Sequence, residues 1–295
     1  MAGGAIEQVR SFNRTVTQRI GVLQDEYLAR GRPLGASRVL WEVGRGPVDV
    51  RALRARLDLD SGYLSRLLRS LEGDGLVVVE PAAADRRVRT VRITDAGRAE
   101  RAVLDRESDA LAASLLAPLG DGQRERLVAA MGVVERLLTA GLVDVAVEDP
   151  RSDAARFCLD AYAAELDAAF DGGFDPALSR SVDPSELTPP RGLLLVARLR
   201  TEPVACGALK LPPGDPAEIK RVWVAPAARR LGVARRVLAE LERHARRHGA
   251  TVVHLDTNRA LHAATALYRS SGYTEVAPFN DEVYAHHWFE KRLCD

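Results

Sequence analysis

Apolar residues recur at Ile6, Val9, Val16, Ile20, Leu23 and Tyr27, the stripe of an amphipathic helix that Arg30-Gly31-Arg32-Pro33 brings to an end. Shorter helical patterns follow over 39–43 and 50–57. A sharper one sets Leu64, Leu67, Leu68 and Leu71 on one face. Strand-like runs over 76–80 and 88–93 are joined by residues 81–87, which reads as a hairpin with a long tip. Two long helices rich in alanine and leucine are predicted over 95–116 and 121–140. Residues 143–152 show alternating acids, Pro150 and no sustained period, so they read as a linker with a boundary near Pro150. That divides the chain into domains over 1–145 and 151–295.

Beyond the boundary the pattern changes. A helix over 154–170 leads through a loop rich in Gly, Pro and Ser to strand-like runs over 192–199 and 203–211. Then come a strand over 219–224, a helix over 233–247, a strand over 252–257, a helix over 261–271 and a final pair of strands. Mixed strands and helices in that order indicate an α/β layer domain, whereas the first half is mainly α-helical.

With 295 residues, 46% of them hydrophobic, the chain has room for two cores. Its formal net charge of +1 excludes a polyelectrolyte, so any nucleic-acid face must be local. Lysine occurs only at Lys210, Lys220 and Lys291, and arginine is common enough that its position, not its presence, carries information. Cys158, Cys206 and Cys294 match no metal-ligand spacing and leave one thiol over in any disulfide scheme, which favours a reducing, cytoplasmic setting. No basic segment followed by an apolar run opens the chain, and no run of about 18 apolar residues occurs, so neither secretion nor membrane insertion is expected. His244 and His248 share a helix face but have no third ligand in the pattern, and no metal is expected.

The leucine face over 61–73 forces Arg66 and Arg69 outward with Ser65 beside them, and Ser61 is the candidate N-cap. A preceding helix and a tight turn over 58–60 make this a helix-turn-helix, the geometry that carries a second helix into the major groove. The hairpin tip carries Arg86 and Arg87, placed to reach phosphates or a minor groove. The segments "SGYLSRLLRSLEGDGLVVV" and "DRRVRTVRITDAG", with long helices on either side, resemble the MarR family of bacterial regulators over about residues 5–142. The resemblance implies a winged helix-turn-helix, a homodimer paired through its first and last helices, and a double-stranded DNA operator as partner.

In the second half, "EIKRVWVAPAARRLGVARRVLAEL" is a strand, a short turn and a helix. Unpaired amides where the helix starts, over Arg230, Leu231, Gly232, Val233 and Ala234, suit a pyrophosphate, with Arg229, Arg230 and Arg235 adding charge. Gly232 allows close approach of the backbone, and Ala234 is small enough to sit against ligand and sheet. Together with "VVHLDTNRALHAATALYRSSGY", this resembles the GNAT superfamily of N-acetyltransferases. That implies a mixed, mostly antiparallel sheet and acetyl-CoA as co-substrate. Val222, Trp223 and Val224 would then meet the pantetheine arm through their main chain, an amide near Val224 would polarise the thioester carbonyl, and Asn258 would bind the cofactor. Tyr268 would protonate the departing thiolate, and Glu218 would match the base of protein-acetylating members, with Asp256 and Glu282 as rivals.

In the tail, Asn280, Glu282, Tyr284 and His287 are candidate acceptor ligands. The reading is a bifunctional regulator and acetyltransferase that moves an acetyl group by direct attack to a small amine, an amino acid or a protein lysine. Two alternatives are a GNAT domain that only senses acetyl-CoA or a ligand, and an acetyltransferase dimerised by a silent first domain.

Overall fold

A computed structural model describes residues 2–21, 27–29, 31–82, 85, 87–179, 183–214 and 216–293, in two compact units, Met1–Ala130 and Met131–Asp295. The first unit begins with α1 (Ala2–Arg19). The apolar stripe predicts a helix through Tyr27, yet α1 stops at Arg19, where Gly21 (φ 73°) takes the left-handed conformation that ends helices. Leu23 lies outside the described residues. Next come α2 (Leu34–Val43), β1 (Val48–Asp49), α3 (Val50–Leu57) and α4 (Ser61–Gly73). The strands β2 (Val77–Pro81) and β3 (Arg89–Ile93) and the helix α5 (Asp95–Leu116) follow, and α6 (Asp121–Ala140) runs across the boundary between the units at Ala130.

Leu64, Leu67, Leu68 and Leu71 of α4 are buried with Val39, Leu40 and Leu53. The three-stranded antiparallel sheet, in order β1-β3-β2, adds Val77, Val91 and Ile93 to the same core. Between α3 and α4, Asp58 adopts the left-handed conformation and Asp60 caps α4, accepting from the amides of Gly62 at 2.9 Å and Tyr63 at 3.0 Å. The cap expected at Ser61 therefore falls one residue earlier. Asp60 is a charged acceptor at the positive end of the helix, and these amide bonds hold its carboxyl below the ordinary range.

The second unit holds a seven-stranded sheet in order β4-β5-β6-β7-β8-β10-β9, built from β4 (Val143–Glu148), β5 (Gly192–Leu199), β6 (Glu202–Lys210), β7 (Ala217–Val224), β8 (Val252–Thr257), β9 (Thr274–Val276) and β10 (His287–Arg292). Every pairing is antiparallel except β7 with β8, which are parallel. The residues expected to form a linker are thus largely an edge strand, with Val143 opposite Leu199 and Glu148 opposite Leu194. The alternation of valines with acids that looked aperiodic at helical spacing is the period of two of a strand: Val143 and Val145 pack on the core while Asp144 faces away from it.

Helices α7 (Asp153–Ala169) and α8 (Val233–Arg247) cover opposite faces of this sheet, and α9 (His262–Ser270) follows β8. The alternation along β5 makes the division visible. Leu193, Leu195 and Ala197 join the core under α8, whereas Leu194 and Val196 pack with Ala155 and Cys158 of α7. Each fully buried leucine in these layers contributes about 1.5–3 kcal/mol.

Candidate active site and DNA-reading surface

The site grows out of an interruption in β7. Ala208 pairs with Lys220 and Cys206 with Trp223, so Arg221 and Val222 together face Gly207, a β-bulge that places Arg221 at φ 57°. A side chain at 207 would displace α8 residues, because an added Cβ would lie 2.7 Å from Val237 and 2.9 Å from Leu241. On its other edge β7 pairs with β8 only at Ala217 with Val253 and Glu218 with His254. Both strands continue beyond that point without further pairing, so they part, and the main chain of β7 from Ile219 to Val224 borders the gap.

At the far end of β7 the chain turns through Arg230 (φ 65°) and Gly232 (φ 77°) into α8. The first turn of α8 has no side-chain cap, and among the described residues the amides over 231–235 donate to no carbonyl. A Cβ built on Gly232 would meet nothing within 4 Å. These donors are left unpaired at the positive end of the helix dipole, beside open space at Gly232, an arrangement that suits an anion.

Between the parted strands, α7 and the 282–285 segment lies a cavity lined by Tyr162, Tyr268, Lys220, Arg221, Asp256 and Asn258, with an aromatic wall of Phe170, Phe174 and Tyr284. Tyr284 stacks on Phe170 at 5.5 Å, lies 5.0 Å from Phe174, and its hydroxyl accepts from the Asp175 amide at 2.9 Å. Burial pushes the Tyr268 hydroxyl well above the ordinary phenol range, with Tyr162 and Asp256 adding to the shift. Burial likewise pushes Tyr162 up to about 12. Both phenols are therefore protonated donors at neutral pH. Lys220 donates to Asp256 and, at 3.0 Å, to Glu218. Burial favours its neutral form, but the two carboxylates outweigh that and raise it. Asn280 donates to Asp256 at 2.9 Å and accepts from the indole of Trp288 at 2.8 Å.

In the first unit, Ser61, Ser65, Arg66 and Arg69 are all exposed on α4, opposite its leucine face. Arg66 lies over the Tyr63 ring at 5.8 Å, and Arg69 donates to the Ser65 carbonyl at 3.3 Å. At the hairpin tip Arg87 is exposed and its amide donates to Asp85, while Arg86 lies outside the described residues.

The acetyltransferase (GNAT) family matches residues 159–273, and the MarR family matches residues 30–88. An IAA acetyltransferase from Azospirillum brasilense is 32% identical over 138 residues, which is 46% of this chain and 88% of that protein. The chain belongs to the GNAT acetyltransferase family and carries a MarR-family segment ahead of that domain. Among solved structures, a GNAT-family acetyltransferase from Staphylococcus aureus is similar at 13% identity and a TM-score of 0.44, over 52% of this chain and 99% of that one. The reduced form of MarR from E. coli is similar at 20% identity and a TM-score of 0.39, over 42% of this chain and 93% of that one.

Within the GNAT domain the residues singled out from sequence fall into different surroundings. Tyr268, Val222, Asn258, Glu282 and Tyr284 line the cavity. Gly232, Leu231, Val233 and Ala234 form the start of α8, where Arg235 reaches Ser270 at 3.2 Å and Arg230 is exposed. Arg229, expected at the phosphates, here donates through one nitrogen, Nη2, to both carboxylate oxygens of Glu165 of α7 at 2.6 and 2.7 Å and through Nε to the Val224 carbonyl. The contact is charge-assisted, which favours it over a neutral hydrogen bond. Trp223, next to Val224, donates its indole N–H to the same Glu165 at 2.9 Å.

Asn258 uses its side-chain amide internally, donating to the Tyr284 carbonyl at 2.7 Å and accepting from the Ala260 amide at 2.9 Å. Glu218 is held by Lys220 and does not line the cavity; it borders a separate surface recess with Lys210 and His254. His287 bonds Glu275 at 2.6 Å and does not line the cavity either. Asn280 does not line the cavity itself but touches two residues that do, donating to Asp256 and accepting from the Glu282 amide at 3.3 Å.

Tyr162, Glu165, Lys220, Arg221, Phe170 and Phe174 were not read from the sequence as site residues. The spacing of Tyr162 and Leu166 along one face of α7, with Phe170 at its cap, is the available signal. Cys158 and Cys206 are fully buried between α7 and the sheet and do not line the cavity, although the Cys206 thiol donates to the Arg221 carbonyl at 3.3 Å, and Cys294 lies outside the described residues. Among the described residues no helix is long and apolar enough to cross a membrane, and no cluster of His, Cys, Asp and Glu could hold a metal ion.

Proposed function

We propose that this GNAT domain transfers the acetyl group of acetyl-CoA to a primary amine by direct attack, and that the MarR-type region up to the end of α6 reads an operator as a homodimer. The observation that carries the enzymatic half is the parting of β7 from β8, which leaves an open strand edge from Ile219 to Val224; Tyr268 lines the cavity there and the unpaired amides at the start of α8 follow along the chain. The diphosphate belongs at the α8 amides and the pantetheine arm along β7. Acetyl-CoA supplies a thioester carbonyl that an amine can attack, with the CoA thiolate as leaving group. Tyr268, held neutral by burial, donates the proton that the thiolate needs.

The carboxylates that face the cavity, Asp256 and Glu282, are the groups on hand to take the amine's proton, directly or through a water. Glu218 acts at one remove by holding Lys220. No cysteine lines the cavity among the described residues, which favours attack in a ternary complex over an acyl-enzyme.

For the MarR-type region, Ser61, Ser65, Arg66 and Arg69 are the reading surface and Arg87, with Arg86, the wing contact. Helix α6 has no buried residue in its 20 positions and exposes Val128, Met131, Val133, Leu137 and Leu138, while α1 exposes Ile6, Val9 and Phe12. Those unpartnered stripes support pairing between two copies. The test of the enzymatic half is CoA release from acetyl-CoA with a panel of amines: acceptor-dependent release supports it, and burst acylation of the protein without acceptor contradicts it. For the DNA half, the Arg66→Ala, Arg69→Ala double variant should weaken operator binding by about 1–3 kcal/mol per lost base contact.

A further inference from the structure

The cavity holds two neighbouring cations that the bulge in β7 brings to the same space, and their surroundings differ. Lys220 is neutralised twice, by Asp256 and by Glu218. Arg221, by contrast, is not among the ion-paired side chains of the described residues. Its guanidinium carbon lies 5.6 Å from the centre of the Tyr162 ring, so one planar face is covered while the edges of the fork, where its N–H donors point, keep their capacity to bind. A partly buried guanidinium without an anion is costly, and a left-handed φ at a non-glycine residue adds to the cost. Such strain persists where the surrounding structure gives it a use.

The face of the sheet identifies that use. Arg221 lies against α7, whereas α8, whose first amides suit the diphosphate, packs on the opposite face. Arg221 thus stands on the acceptor's side. Leu166 follows Tyr162 by one turn of α7, about 6 Å, and Phe170 caps the helix just beyond its last residue, so the aromatic wall begins about 12 Å from Tyr162 with Leu166 in between. That distance accommodates a molecule with an anion at one end and an aryl-sized group at the other, with its nitrogen in between.

We infer that the acceptor is an amine that also carries a carboxylate and a bulky apolar or aromatic group, the carboxylate gripped by Arg221 and the apolar group by Leu166, Phe170, Phe174 and Tyr284. This rests on the acyl-transfer reading of the same cavity. Arginine meets a carboxylate through two parallel hydrogen bonds, which fixes the acceptor's orientation as well as its affinity. The aromatic wall accounts for the second requirement, since a short amino acid would leave it in contact with water.

The experiment compares acetylation of phenylalanine, 2-phenylethylamine and alanine by the full chain and by Arg221→Gln, Arg221→Lys and Phe170→Ala, with folding checked by thermal melting. The parent should favour phenylalanine over both others by about tenfold or more in kcat/KM. Arg221→Gln should bring the ratio of phenylalanine to 2-phenylethylamine close to one, Arg221→Lys should restore part of it, and Phe170→Ala should narrow the margin over alanine. A parent that uses 2-phenylethylamine as well as phenylalanine overturns the inference, as does an Arg221→Gln variant in which only the KM for acetyl-CoA rises. If none of the three is acetylated but other amines are, the acceptor class is wrong and the acyl-transfer reading stands. If no amine at all is acetylated, that reading fails, and calorimetry with phenylalanine decides the rest: binding lost in Arg221→Gln supports the carboxylate grip, and no binding refutes it.

Discussion

The two ends of the acyl-transfer site are made of different material. At the start of α8 the donors are main-chain amides, and Gly232 contributes by having no side chain. In the cavity the work falls to side chains drawn from α7, β7, β8, α9 and the 282–285 segment. A backbone site depends on one local turn, so its motif stays contiguous along the chain. A side-chain site depends on elements more than a hundred residues apart, as the bond from the Asp175 amide to the Tyr284 hydroxyl shows. Substitutions should therefore separate the two ends cleanly, with cofactor binding responding to one and turnover to the other.

The largest effect is expected in the cavity. Tyr268→Phe removes the proton donor but keeps the ring among Tyr273 and Phe289, so kcat should fall by about 100-fold or more while acetyl-CoA affinity is retained. Steady-state kinetics beside a binding titration would check this. An unchanged kcat would remove Tyr268 from the chemistry.

Next comes the backbone end. Gly232→Val forces a β-branched residue to φ 77° and projects methyls into the space that the amides face. The Kd for acetyl-CoA should rise by about tenfold or more, with the rate at saturating cofactor falling less than in Tyr268→Phe. Equal losses in binding and saturated rate would mean that the two ends are not separable.

Arg229→Ala is expected to do much less than its place in the motif suggests. Its guanidinium is committed to Glu165 and Val224, on a half-exposed surface, so the loss should be about 1 kcal/mol or less in stability and at most a few-fold in cofactor affinity. Denaturant unfolding and the same titration give both numbers. A large affinity loss with stability intact would return Arg229 to the phosphates.

The smallest effect concerns pH. Burial raises Tyr162 to about 12 and Tyr268 higher, so the folded state holds these protons more tightly than the unfolded chain, where phenols titrate near 10. Their contribution to stability is therefore complete below pH about 10 and declines as pH rises toward 12. Phenolate absorbance should show no ionisation of either ring below pH 10 while the protein is folded. Ionisation of Tyr268 near neutrality would contradict its assignment as a buried acid.

The same division between backbone and side chain explains what could be read from the sequence. The leucine face of α4, the span of α5 and α6 and the strand, turn and helix around Gly232 depend on local periodicity and turn chemistry, which a single sequence carries. The cap of α4 moved to Asp60 because two acceptors adjoin, and the charged one takes the amides. Strand β4 was mistaken for a linker because its alternation is short and its acids mark an exposed edge. Tyr162, Glu165 and Arg221 were invisible as a group. Their roles arise from the β7 bulge and from α7 crossing that face of the sheet, neither of which leaves a fixed spacing in the chain.

One measurement bears most directly on the account: equilibrium titration of acetyl-CoA into the intact protein, repeated with Gly232→Val. Saturable binding at one site per chain is expected, weakened in the variant while its melting temperature stays close to that of the parent. Folded protein that takes up no acetyl-CoA, or takes it up equally well with valine at 232, would contradict it.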